Sequence, residues 1–210
     1  MSNAKRGLLI VLSGPSASGK GTVNAIVLQD QGFEYSVSAT TRAPRVGEVD
    51  GKNYHFITKE AFEDLIRDGG VLEYTSYCGN YYGTLRSFVE EKLNAGKNVI
   101  LEIEVDGAMQ IREKYPDALL IMLLPPSFAE QERRLRSRGT ETEEVIAKRL
   151  SQTRNEIPFA ERYDYVVYNR TGHAEDAAAD ILAIVRAERC AICRNQDVAE
   201  RYFSDEPESN

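Results

Sequence analysis

Residues 7–22 read GLLIVLSGPSASGKGT, an apolar run that breaks into a glycine-rich turn and then opens a helix-forming stretch. The run Gly7 to Leu12 is short and apolar on both faces, as expected of a strand buried in a parallel sheet. The turn Gly14-Pro15-Ser16-Ala17-Ser18-Gly19-Lys20 has the spacing G-x-x-x-x-G-K, and the sequence predicts a helix from Lys20 to about Leu28. A strand, a glycine loop and a helix in that order can cradle a polyphosphate. Glycines let the backbone approach closely, successive N–H groups turn inward, the helix N-terminus favours negative charge, and Lys20 neutralises the terminal phosphates. Gly21 stands where this motif usually carries a magnesium-binding hydroxyl, and Thr22 comes one position late. The metal is therefore expected to be held mainly by nucleotide oxygens and water, with Thr22 a candidate side chain.

Further along, NVILEI (98–103), ALLIMLL (118–124) and YVVY (165–168) repeat the short apolar pattern. Helices are predicted between and after them over 106–114, 127–138, 142–156 and 174–189, with Ser127 and Thr142 as N-caps. This alternation predicts an α/β fold, a parallel sheet covered on both faces. Between Tyr35 and Leu85 the texture changes to YSVSATT, NYHFI, VLEYTSY and NYYGT with one helical stretch, 59–68. Such a block reads as a small α+β subdomain inserted into the core. Residues 130–154 are helical and rich in arginine, and 204–210 (SDEPESN) are acidic and expected to be disordered.

The 210 residues are 42% hydrophobic and 28% charged, enough for one core with subdomains. With 26 Lys and Arg against 33 Asp and Glu the net charge is −7, which argues against a nucleic acid polymer as partner. Leu8 to Leu12 is far shorter than the roughly 20 residues of a membrane span. A soluble, cytoplasmic protein is expected. Cys190 and Cys193 form a C-x-x-C, but no second pair accompanies them, so they are read as two helix cysteines without metal.

G-K-G-T also occurs in nucleoside monophosphate kinases, and other segments narrow the choice. The stretch from Ser36 to Tyr54, with Arg42, Arg45, Gly47, Glu48, Asp50, Gly51 and Asn53, resembles the signature of the guanylate kinases, a family with the P-loop NTPase fold. So do 79–84 (GNYYGT), 102–107 (EIEVDG), 125–127 (PPS) and 138–141 (RGTE), in the family's order across residues 7 to about 188. Ala17 departs from the family, which often has glycine there. The resemblance implies a three-layer core over 5–35, 86–129 and 155–190, a GMP-binding subdomain over 36–85, a lid over 130–154 and a C-terminal extension over 191–210. It implies transfer of the ATP γ-phosphoryl group to GMP, and to dGMP as well, in purine nucleotide metabolism, with magnesium as cofactor.

Residue by residue, the resemblance assigns ATP to Gly14, Pro15, Ser16, Ala17, Ser18, Gly19, Lys20, Gly21, Thr22 and Asn169. GMP falls to Ser38, Arg42, Arg45, Tyr54, Glu73, Tyr82, Gly83, Thr84, Glu102 and Glu104, and catalysis to Lys20, Arg42, Arg134, Arg138 and Arg149. These residue types suit the task. Guanidinium forks bind phosphate bidentately, and an acceptor-only carboxylate such as Glu73 can take both N–H donors of the guanine edge, with Ser38 and Thr84 donating to O6. Arg133, Arg136 and Arg154 are read as solvated or structural. The alternatives are a kinase for another monophosphate such as AMP, and a binding module that has lost catalysis. Glu73 opposes the first; Lys20, Arg138 and Arg149 oppose the second. Oligomeric state is left open.

Overall fold

The computed structural model describes residues 6–137, 139 and 141–203. Arg138, Thr140 and the acidic stretch 204–210 lie outside the described residues. In chain order the first elements are β1 (Leu9–Ser13), α1 (Lys20–Val27), β2 (Phe33–Tyr35), β3 (Ala39–Thr40), β4 (His55–Phe56), α2 (Lys59–Arg67), β5 (Val71–Tyr77), β6 (Asn80–Leu85) and α3 (Arg86–Asn94). There follow β7 (Asn98–Glu102), α4 (Val105–Lys114), β8 (Leu119–Leu124), α5 (Phe128–Ser137), α6 (Glu143–Glu156), β9 (Tyr165–Tyr168), α7 (Ala174–Cys190) and α8 (Val198–Phe203).

The central sheet is wholly parallel in the order β2-β7-β1-β8-β9. One face packs Val11, Leu101, Leu120 and Met122 against α3 and α4; the other packs Ile10, Leu12, Ile121 and Leu123 against α1 and α7. Both faces of β1 are dry because helices cover both, which is why its sequence is apolar without alternation. In register, Leu12 lies opposite Glu102 and Ser13 opposite Met122. The phosphate loop and the end of β7 therefore emerge side by side at the carboxyl edge, where open α/β sheets bind ligands.

The run YSVSATT divides: Tyr35 closes β2 in the central sheet, while Ala39–Thr40 enters a second sheet of order β4-β3-β6-β5. There β3 and β4 are parallel, and β6 is antiparallel to both β3 and β5. Between the pairs Val71–Leu85 and Tyr74–Gly83 the register shifts, so Leu72 and Glu73 together face Thr84. This bulge breaks the strand's alternation, and Val71, Leu72 and Glu73 are all buried.

Two sequence expectations are corrected and one helix is added. β9 is an edge strand with Val166 and Tyr168 exposed, so YVVY is covered on one face only. α7 ends at Cys190, where Ala191 turns extended, and Cys193 lies in a separate 3-10 turn, Ile192–Arg194. α3 was not anticipated, its apolar positions Val89 and Leu93 being too few for a clear period. Thr142 does cap α6, its hydroxyl accepting from the Val145 N–H, and Ser127 does the same for Glu130 at the start of α5. Among the described residues no helix is long and apolar enough to cross a membrane.

Candidate active site

The loop from Gly14 to Gly19 wraps the N-terminus of α1 with Gly19 as its N-cap, in the left-handed region at φ 92°. A side chain at Gly19 would also collide with the Asn169 amide, whose Nδ2 donates to the Ser18 carbonyl at 2.8 Å. Asn169, buried at the end of β9, thus fastens the loop from behind. Ala17 adopts φ 65°, a conformation that costs a non-glycine residue about 1–2 kcal/mol. Its methyl group packs with Leu135, Ile146 and Leu150, so the strained loop is seated against α5 and α6. The Lys20 ammonium donates to the Gly14 carbonyl at 2.5 Å.

Two cavities meet this loop. One, of about 360 Å³, brings together Lys20, Ser38, Tyr54, Glu73, Tyr82, Gly83, Glu102 and Glu104. Glu73 is only 3% exposed, so it is no solvent-facing strand carboxylate. Its Oε1 accepts from the Thr84 hydroxyl at 2.7 Å, which commits that hydroxyl's one hydrogen to Glu73 rather than to a base. Burial pushes the Glu73 carboxyl up to about 6, against the pull of the Thr84 bond and the Lys114 charge. Glu102 Oε2 accepts from Asn24 Nδ2 at 2.7 Å. Thr75 and Tyr77 also line this cavity, and neither was expected there. The signal was available: positions 73, 75 and 77 share one face of β5.

Arg42 and Arg45 stand beside this cavity rather than in its wall. Arg42 forms a two-pronged bond to Glu48, Nη1 to Oε2 and Nη2 to Oε1, both at 2.9 Å, and lies over the Tyr54 ring at 5.4 Å. The Arg45 N–H also donates to Glu48, at 2.7 Å. Arg42 foremost, then the Arg45 N–H, hold the Glu48 carboxyl below its usual range. A carboxylate thus already occupies a fork of the shape that a phosphate would use.

The second cavity, of about 480 Å³, lies on the other flank of the loop, with Ala17, Gly19, Thr22, Arg134 and Asn169 in its wall. Arg134 is pinned there: Nε donates to Glu130 at 2.8 Å and Nη2 to the Asn169 carbonyl at 2.7 Å. Arg133 first, then Thr171 and Arg134, hold the Glu130 carboxyl far below its usual range. Arg149 reaches the loop itself, with Nη1 donating to Ser16 Oγ at 2.9 Å and Nη2 paired with Glu141 at 2.9 Å. Arg138 lies outside the described residues. A larger cavity, about 720 Å³, opens at the opposite end of β1 around Arg6 and Leu8 and holds none of these groups.

A family model described as guanylate kinase matches residues 6–188. The chain is 51% identical over 199 residues to the guanylate kinase of Halalkalibacterium halodurans, covering 94% of this chain and 95% of that one. It is 49% identical to that of Bacillus subtilis over 200 residues, covering 94% and 96%. The chain belongs to the guanylate kinase family. The crystal structure of guanylate kinase from Anaplasma phagocytophilum is similar with a TM-score of 0.77 at 34% identity, over 98% of each chain. The matched residues include those lining both cavities and end before Cys190.

One further residue ties that site together. Gln131 is 1% exposed on α5 and donates to the Ser16 carbonyl at 3.0 Å and to Thr153 Oγ1 at 2.7 Å. It links the phosphate loop to α5 and α6, and its sequence signal was a polar residue at a core-facing helical position, one turn before buried Leu135. Gln131→Leu should lower stability by about 1–3 kcal/mol, since the volume is kept but two buried acceptors lose their donor. The shift in urea midpoint at unchanged slope is the measurement.

Proposed function

We propose that this chain transfers the γ-phosphoryl group of ATP to GMP, and to dGMP, giving ADP and GDP. The observation that carries the substrate choice is Glu73, a buried carboxylate sharing one cavity with the phosphate-loop lysine. Guanine offers N1–H and N2–H₂ as adjacent donors, and a carboxylate accepts both; adenine would present a lone pair at N1 instead. In this reading Thr84 holds Glu73 in place, and Ser38 remains to serve O6. The GMP phosphate is taken by Arg42, Arg45, Tyr54 and Tyr82, with Glu48 giving up its hold on Arg42.

ATP enters the second cavity beside Asn169, its β- and γ-phosphates on the loop N–H groups and Lys20. Two polyanions must then approach in line, and positive charge between them is what makes the approach possible. Arg149, placed at Ser16, bridges toward the transferred group; Arg134 steadies the nucleotide flank, and Arg138 is assigned to the same task by resemblance. Thr22, Glu102 and Glu104 supply hard oxygen donors at the carboxyl edge, which suits Mg²⁺ arriving with ATP. When bound, the ion neutralises charge on the β- and γ-oxygens. The substrates and three free cysteines fit a cytoplasmic enzyme.

ADP release measured with GMP, dGMP and AMP tests the reading; turnover of AMP in preference to GMP would sink it. Glu73→Gln should reduce kcat/KM for GMP by on the order of 10² or more while AMP activity changes less, because a polar site rejects the wrong partner by leaving groups unpaired. An unchanged GMP-to-AMP ratio would remove Glu73 from base recognition. The raised carboxyl adds a pH test. Guanine needs the ionised form, so KM for GMP should fall as pH rises through about 6 and then level off, and the fall should be smaller in Glu73→Gln, where only the GMP phosphate still titrates in that range. Without nucleotide the sign of the stability effect is opposite. A folded-state value above 4.5 means the stabilisation is present below that pH and is lost as pH rises through about 6, a change of about 2 kcal/mol.

A further inference from the structure

Gly107 sits in the first turn of α4, buried and with no left-handed backbone to demand glycine. Alanine is the better helix former at such a position, so the absence of a methyl group calls for another reason. A Cβ built at Gly107 would stand 2.6 Å from Glu73 Oε2 and 3.2 Å from its Cδ, with Ile103 Cδ1 next at 3.4 Å. The tight contact is thus with the carboxylate alone. Glu73 is a flexible side chain in principle, but here it is 3% exposed and bonded to Thr84 through its other oxygen. It can yield to a methyl group only by swinging off that bond.

We infer that Gly107 is a positioning residue for base selection: by having no side chain it lets the α4 terminus close against Glu73 Oε2, and with Thr84 on Oε1 it sets the plane of the carboxylate that reads guanine. The bulge at 72–73 turns Glu73 inward, Thr84 holds one oxygen, and Gly107 limits the other. The inference rests on the GMP reading above. It predicts that substrate choice is lost through a residue that needs no contact with substrate.

Moving Oε2 from 2.6 Å to the 3.4 Å of ordinary contact displaces the carboxylate by a large fraction of an ångström, and misplacement on the order of 1 Å costs up to about 10²-fold. G107A should therefore lower kcat/KM for GMP by roughly 10- to 10²-fold, with a matching loss of GMP affinity by titration calorimetry. KM for ATP should stay within about twofold, and the thermal midpoint should fall modestly, the lost Thr84–Glu73 bond being partly offset by the better helix former. In the E73D background the shorter side chain withdraws from Gly107, so adding G107A there should cost less than about threefold, the non-additivity of residues in contact. Should G107A be too unstable for kinetics at the assay temperature, midpoints measured on the folded protein at lower temperature carry the same comparison, and E73D should raise that of G107A. Equal losses in both backgrounds, no loss in GMP affinity, or a parallel loss for ATP would overturn the inference. Failure of the wild-type protein to bind GMP would overturn it together with the substrate reading, whereas wild-type binding with G107A unchanged overturns this inference alone.

Discussion

Lys20→Met is expected to fold like the wild-type protein and to lose on the order of 10³-fold or more in kcat, because it removes the one side-chain cation of the phosphate loop. The fold should survive because the loop is held by other bonds: Ser18 N–H to the Pro15 carbonyl at 3.2 Å, Asn169 to Ser18, and Gln131 to Ser16. Methionine keeps the length and most of the volume and gives up the charge. The charge that develops during transfer sits on the γ-phosphoryl oxygens, where a preorganised ammonium needs no reorganisation and water would. Circular dichroism and thermal melting should match wild type while steady-state turnover collapses. A purified Lys20→Met protein with near wild-type kcat would remove the loop from the chemistry.

Arg149→Ala should lower kcat by on the order of 10³-fold, the effect of losing an arginine supplied in cis to a phosphoryl transfer. Its guanidinium is already at the loop through Ser16, paired with Glu141 and half-exposed, so it is close enough to act and free enough to move. Because the interaction forms with the transferred group, KM for GMP should change far less than kcat. Arg149→Lys should recover little, since an ammonium cannot span two oxygens in the planar geometry of a guanidinium. Arg138→Ala is expected to give a loss of similar order on the resemblance alone. A change confined to KM would turn either arginine from catalyst into binder.

Much of the site was legible because its parts are contiguous. The phosphate cradle is a run of neighbouring residues after an apolar strand, and the physics of that motif is local: glycine conformations, inward N–H groups and a helix terminus. Other parts were legible only as residue types. Arg42 was read as a phosphate ligand, and its bonds to Glu48 were not legible in the sequence. Thr84 was read as a donor to the base, and its hydroxyl is spent on Glu73. Cys190 and Cys193 were placed on one helix, and an extended Ala191 separates them.

By itself the sequence determined the parallel core, the loop and the family, since each is written in apolar period or in short-range spacing. Tertiary structure alone decided which groups are buried and who meets whom. Glu73 becomes buried because a bulge places two residues opposite Thr84 and because α4, thirty-odd positions later, closes on it at Gly107. YVVY is apolar on both faces yet loses one cover, because the strand order puts it at the edge. Burial and hydrogen-bond partnership are properties of segments packed from distant parts of the chain, and no local pattern encodes where those segments will meet.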